Sequence, residues 1–287
     1  MIHRTRATAK DRSETLTVSH EISPAMAADL LDGLTAIVVQ ASAVVLANPY
    51  TDHRLKNDQS PVTPADEAAE AAILEGLARL LPGVPVVSEE GAGHGAPPKA
   101  DESFVLVDPL DGTRQFIEGL PEYTVNVAIV TKRTPIAGIV AAPACGLLWR
   151  GVTGVRAERM RLGPNGVEKP EQIRTRRWPD KDPVASVSRS HYDPDTDALL
   201  KKLGPMQCDH SGSSIKFCRI AEGSADIYPR LAPTSEWDIA AGHALVASAG
   251  GTVVNPQGAT LFYGGTNGKF LVPGFIAWGD PAKAKSI

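Results

Sequence analysis

Residues 104–113 read FVLVDPLDGT, four apolar residues followed at once by acid, proline and a glycine turn. An apolar run without alternation marks a strand buried on both faces. Asp108 ends that run, and Asp111 follows across Pro109 and Leu110. Upstream, VPVVSEE (84–90) is a second short apolar strand, and it too stops in acid, at Glu89 and Glu90. Downstream, YTVNVAIVTK (123–132), PIAGIVAAPAC (135–145) and LLWRGVTG (147–154) read as successive antiparallel strands separated by turn residues. The centre of this half is therefore a sheet with carboxylates at its strand ends.

Outward from that centre, the second half alternates. PVASVSRS (183–190), MQCDHS (206–211), ADIYPR (225–230) and GTVVNP (251–256) read as strands. DTDALLKKL (195–203), SSIKFCRIAEG (213–223) and EWDIAAGHALVASAG (236–250) read as helices between them. Strands alternating with helices predict an α/β half, at 180–287, packed beside an α+β half at 21–165. The boundary falls in the polar, proline-rich stretch 158–183. N-terminal to the acidic strands, Thr63, Pro64 and Asp66 form a T-x-x-D helix start, and Pro82-Gly83 a stop. Ser23 and Pro24 open an earlier helix whose segment 33–51 carries no charge. Gln40, Ser42 and Asn48 interrupt its apolar run, so a buried helix is expected rather than a membrane span. Residues 1–20 are basic and polar with no apolar core, the composition of a disordered extension and not of a secretory signal.

Composition narrows the function classes. The 287 residues carry a net charge of −4, which provides no field for a nucleic-acid polymer or an anionic membrane. Aromatics at 5% argue against stacking platforms for single strands. Three cysteines without a C-x-x-C give neither a disulfide framework nor a zinc ribbon and suit a reducing cytoplasm.

The chemistry lies in the acids. Asp108, Asp111, Glu89 and Asp238, which opens the helix WDIAAGHA, sit at the ends of buried elements, where an unpaired charge is costly. No Lys or Arg lies within DPLDGT or SEEGAG, and hard divalent cations are the other means of compensation, since they take oxygen ligands. Asp108 and Asp111 can face one site with the Leu110 carbonyl between them. Gly112 and Thr113 then start a turn whose N–H groups can receive phosphate. Each piece has a plainer role: Asp-Gly as a turn, Glu89-Glu90 as a solvated edge, Asp66 as a capping acid, Asp238 as a helix-start acid. Their joint occurrence favours a metal cleft.

SEEG (88–91), VDPLDGT (107–113) and WDIAAGHALVASAGG (237–251) resemble the three signature segments of the inositol monophosphatase superfamily of magnesium-dependent phosphatases. The resemblance covers roughly residues 24–280 and implies a layered αβαβα sandwich. It implies that Glu89, Asp108, the Leu110 carbonyl, Asp111 and Asp238 hold two or three Mg2+ ions. It also implies that Asp66 and Thr113 orient and deprotonate the attacking water, with Glu89 the third catalytic residue. Leu110, Asp111, Gly112, Thr113 and Asp238 would surround the scissile phosphate. Lithium sensitivity is a further family expectation.

Residues 212–244 resemble the bisphosphate nucleotidase branch, which removes the 3'-phosphate of adenosine 3',5'-bisphosphate in sulfur metabolism. Arg230 stands where inositol monophosphatases tend to carry a ring-binding Glu. Ser213, Lys216 and Arg230 become candidates for the second phosphate, and His191 for the nucleoside. A small phosphorylated nucleotide is thus the expected partner, the sulfated analogue included, in a cytoplasmic enzyme with room for a homodimer. Inositol monophosphate or sugar-phosphate hydrolysis is the alternative, and a non-catalytic metal-binding regulator a more distant one. The D-x-x-D spacing departs from the D-x-D of haloacid-type phosphatases, and no G-x-S-x-G elbow supports serine hydrolysis.

Overall fold

The computed structural model describes residues 21–48, 53–56, 59–91, 98–99, 102–163, 166–190, 193–265 and 269–285. The expected N-terminal extension, His94 and His191 lie outside the described residues. The chain begins with helix α1 (Pro24–Ala47), then β1 (Arg54–Leu55), β2 (Pro61–Val62), helix α2 (Pro64–Leu80) and β3 (Val86–Ser88). Next come β4 (Ser103–Asp111), the short helix α3 (Thr113–Ile117), β5 (Thr124–Thr131), β6 (Thr134–Ala142), β7 (Leu147–Val152), β8 (Arg156–Gly163), β9 (Gly166–Val167) and β10 (Glu171–Gln172). The second half holds β11 (Val184–Ser188), α4 (Pro194–Leu203), β12 (Gln207–Ser211), α5 (Ile215–Ala221), β13 (Ile227–Arg230), β14 (Thr234–Ser235) and α6 (Glu236–Ser248). It closes with β15 (Thr252–Val254), β16 (Leu271–Val272), β17 (Phe275–Trp278) and α7 (Pro281–Ala284).

The large sheet runs β10-β8-β7-β6-β5-β4-β3, with β9 on β8. It is antiparallel except that β3 lies parallel to β4. The parallel pairing brings the acidic ends of both strands to one edge, the first step in building the site. β9 and β10 extend the sheet into the polar, proline-rich stretch 158–183. The second sheet runs β12-β11-β13-β17-β15, parallel among its first three strands.

Alternation explains the layers. From β4, Val105 and Val107 enter one core with α1 and α2, while Phe104 and Leu106 enter another with α5 and α6. A third core joins Ala185, Val187, Ile227 and Trp278 with Leu200 of α4. The stack is therefore α1/α2, large sheet, α5/α6, small sheet, α4/α7, the layered αβαβα sandwich. Helix α6 lies between two sheets and is accordingly buried on all sides from Ile239 to Val246.

Helix α1 is long and apolar enough to cross a bilayer, with a mean hydropathy of 1.9. Its packing shows a core helix. Leu31, Leu34, Val38, Ala41 and Val45 are buried in the first core. The buried Arg150 of β7 donates to Asp32 at 2.6 Å and to Thr35 Oγ1 at 3.0 Å, and pairs with Glu158 at 2.9 Å. Removing one member of such a network strands a buried charge.

Candidate active site

The geometry of the site begins with a bulge. Asp108 pairs with Asn126 and Asp111 with Thr124, so three steps along β4 oppose two along β5. In a regular strand an odd spacing would put the two side chains on opposite faces. Pro109, which has no N–H for the ladder, accommodates the extra residue, and both aspartates line the same cleft. Leu110 N donates to Asp108 Oδ1 at 3.1 Å, which fixes that carboxylate. Gly112, in the left-handed region at φ 95°, reverses the chain into α3.

Asp66 and Thr113 meet from distant segments. Asp66 is the third residue of α2 and closes a capping box: its Oδ2 accepts from Thr63 N at 2.8 Å and from Thr63 Oγ1 at 2.5 Å. Thr113 Oγ1 lies 3.1 Å from Asp66 Oδ1 and 3.1 Å from the Leu110 carbonyl. One hydroxyl hydrogen serves two acceptors, so the oxygen is poised to pass a proton to Asp66. Asp66 is both cap and partner of Thr113.

The carboxylates crowd one another. Glu89, Asp108, Asp111 and Asp238 line one cleft that is open to solvent. Burial first, then repulsion from Glu89, Asp111 and Asp238, holds the Asp108 carboxyl well above the usual range. Burial and then Asp111 push Asp238 up to about 6. Burial, only partly offset by Lys56, with Asp238 adding repulsion, pushes Glu89 up to about 7. Burial also raises Asp66, against the Thr63 and Thr113 hydrogen bonds.

These donors are all hard oxygens whose mutual repulsion is uncompensated on the Asp108 side, and they fit hard divalent cations. Among the described residues, no three His, Cys, Asp or Glu side chains close into a finished metal cage. The four acids line one open cleft, and the residues that would hold a cation there are Glu89, Asp108, Asp111 and Asp238.

Compensation by lysine, which the local motifs do not contain, arrives from elsewhere. Lys56, in the turn between β1 and β2, donates to Glu89 at 2.7 Å and Glu90 at 2.6 Å. Burial opposes its charge, but the two carboxylates outweigh burial and raise its pKa. Glu90 is therefore an ion-pair partner and not a solvated edge. Asn126, buried directly opposite Asp108, donates to Ser214 Oγ at 3.1 Å, and Ser214 in turn donates to the Asp238 carbonyl at 2.7 Å. Sequence reading missed Lys56, Asn126 and Ser214. An Asn inside an otherwise apolar strand was the one available signal.

Across the cleft stand Ser213, Lys216 and Arg230. The buried Lys216 donates to the Ser213 carbonyl at 2.5 Å and to the Ser211 carbonyl at 3.3 Å, and lies 5.1 Å from the Tyr228 ring centre. Burial lowers it to about 8, against the pull of Asp111. It holds its own loop together. Arg230 lines the cleft; its Nε is buried without an acceptor, and its Nη2 donates to the Pro233 carbonyl at 3.4 Å.

Residues 21–278 match the inositol monophosphatase family model. The chain is 43% identical over 224 residues to the Salmonella typhimurium 3'(2'),5'-bisphosphate nucleotidase CysQ, covering 78% of this chain and 87% of that one. Its structure resembles CysQ from Bacteroides thetaiotaomicron, a bacterial member of the same family, with a TM-score of 0.72, 33% identity, and coverage of 88% and 97%. The Thermotoga maritima IMPase also superposes at a TM-score of 0.72 over 90% of this chain and 94% of that one, at 22% identity, a likeness of fold. With the acid cluster, the Asp66–Thr113 pair and the five layers all in place, the chain belongs to the inositol monophosphatase family.

Proposed function

We propose that this protein is a magnesium-dependent phosphomonoesterase that removes the 3'-phosphate of adenosine 3',5'-bisphosphate, and of its sulfated analogue. The observation that carries the reaction is the Thr113 hydroxyl, shared between buried Asp66 and the Leu110 carbonyl at the edge of four carboxylates. Two or three Mg2+ ions held by Glu89, Asp108, the Leu110 carbonyl, Asp111 and Asp238 would supply activation of water and neutralisation of phosphoryl charge.

The chain's own residues do the rest. Asp66 Oδ2 is occupied by the cap, so Oδ1 is the basic atom, and it takes the proton that Thr113 relays from water. The first-turn N–H groups of α3, which have no partners inside a helix, receive the scissile phosphate beside Gly112 and Thr113. Arg230 takes the second phosphate, with Lys216 holding the loop that carries Ser213. The nucleotide assignment is supported by the identity to the Salmonella enzyme and by Arg230 in the cleft.

A phosphate-release panel tests both steps. Adenosine 3',5'-bisphosphate, inositol 1-phosphate and fructose 1,6-bisphosphate are compared with magnesium and with chelator. The bisphosphate is expected to have the highest kcat/KM, and chelator to abolish turnover. Activity in chelator would overturn the metal reading, and preference for inositol 1-phosphate the nucleotide one.

A further inference from the structure

We propose that Glu122 is a positioning residue that sets the spacing between the scissile-phosphate turn and the pocket for the second phosphate. This rests on the bisphosphate reading above. Glu122 precedes β5, in the half that carries the acid cluster, and its carboxylate reaches the chain just after β11 and β12 in the other half. Oε2 accepts from Gly212 N at 2.9 Å and from Arg189 Nε at 2.9 Å, while Oε1 accepts from Arg189 Nη2 at 2.6 Å. The same Arg189 nitrogen donates to the His210 carbonyl at 2.7 Å. One carboxylate thus fixes the ends of both β11 and β12.

The backbone of Glu122 makes the arrangement tighter. Its carbonyl oxygen would lie 2.9 Å from a Cβ added to Gly112 and 2.7 Å from one added to Gly212. Gly112 begins the phosphate turn of one half and Gly212 the substrate loop of the other, so a single peptide oxygen is the spacer between them. The next residue, Ser213, is held in the left-handed region at φ 46°, which a serine adopts only under constraint. Lys216 grips the loop through the Ser211 and Ser213 carbonyls, and Glu122 grips it through the Gly212 N–H. A second tie, Gln115 Nε2 to Ser190 Oγ at 2.9 Å, joins α3 to the end of β11.

A bisphosphate nucleotide has its two phosphates at a separation set by the sugar. Binding energy from the second phosphate is realised only if the protein holds both anion sites at that separation. An ion pair with Arg189 47% exposed adds little to stability, so its removal should be read in substrate geometry more than in folding.

The test is a comparison of kcat and KM for adenosine 3',5'-bisphosphate and adenosine 3'-monophosphate. It uses the magnesium-loaded parent, Glu122→Ala, Glu122→Gln and Arg189→Ala, with melting temperatures alongside. Expected is a rise in KM for the bisphosphate of about 10-fold in both alanine variants, with kcat changing about 2-fold at most and the monophosphate affected much less. Glu122→Gln, which keeps an acceptor for Gly212, should recover part of the loss. Equal losses on the two substrates, a fall in kcat alone, or no change would overturn the proposal. A parent that treats the two nucleotides alike overturns the bisphosphate reading first, on the parent's numbers alone.

Discussion

Two aspartates begin from the same local motif and end in different surroundings. Thr63-x-x-Asp66 and Ser235-x-x-Asp238 are both capping boxes, and in each the acid is the third residue of its helix. In each, Oδ2 accepts from the backbone N–H of the cap residue, at 2.8 Å from Thr63 and 3.3 Å from Ser235. In each, a threonine hydroxyl adds a second bond, from Thr63 or from Thr234. The surroundings then differ. Asp66 is closed off behind Thr113, and hydrogen bonds oppose its burial. Asp238 lines the cleft, and after burial its strongest perturbation is the charge of Asp111. The helix start aims the carboxylate, and the neighbours suit each to the role proposed for it, proton acceptor for Asp66 and cation ligand for Asp238.

The largest expected effect breaks the ligand side of that comparison. Asp238→Asn should lower kcat by at least about 10³-fold, the loss of several kcal/mol of charge stabilisation. It should also weaken Mg2+ binding by calorimetry on chelator-stripped protein. Asp66→Asn should lower kcat by about 10²-fold, as for a lost general base. It should bind Mg2+ like the parent and lose roughly 0.5–2 kcal/mol of stability if the amide caps imperfectly. If both variants lost metal affinity alike, the two aspartates would share one job and the distinction would fail.

What could be read from sequence follows range of interaction. The acids at strand ends, the T-x-x-D cap, the turn at Gly112 and the helix of small residues read at 236–250 are local patterns, and each is found, the helix as Glu236–Ser248. Lys56 could not be read, because it reaches Glu89 across 33 residues and a turn of no marked composition. Asn126 and Ser214 are 88 residues apart, and Glu122 and Arg189 are 67 apart. Such contacts are products of sheet register and layer packing, which periodicity does not specify. The strands within 158–183 gave no signal for a related reason. β9 (Gly166–Val167) and β10 (Glu171–Gln172) are two-residue strands at the surface, too short for any alternation to signal pairing.

A smaller effect tests the charge state of the carboxylate cluster. The folded-state pKa values of Glu89 and Asp238, about 7 and about 6, stand above their usual 4.5 and 3.8. A carboxylate with a raised folded pKa binds its proton more tightly in the native state, so stability falls as pH rises from the unfolded value through the folded one. Chelator-stripped protein should therefore lose on the order of 2–3 kcal/mol between pH 4.5 and 7.5, relative to Glu89→Gln measured in parallel. Saturating Mg2+ should flatten that difference. A flat profile without metal would mean that Lys56 already neutralises the cluster.

The finest distinction concerns the two threonine hydroxyls. Thr63 Oγ1 donates to Asp66 and accepts from Ala65 N at 3.2 Å, so Thr63→Val removes both an N-cap and a bond to the charged form of Asp66. Stability should fall by about 1 kcal/mol. Without that bond burial dominates further, the Asp66 pKa rises, and the acid limb of kcat against pH moves to higher pH at saturating Mg2+. Thr234→Val removes the corresponding donor from Asp238. If Asp238 is the ligand proposed above, protons compete better for it, and the change should appear as a higher Mg2+ concentration for half-maximal activity at fixed pH, with the acid limb in place once metal saturates. Full pH profiles of kcat for both variants, each at its own saturating Mg2+, separate the cases. An acid limb that moved with Thr234→Val and stayed with Thr63→Val would reverse the assignment of proton acceptor and ligand.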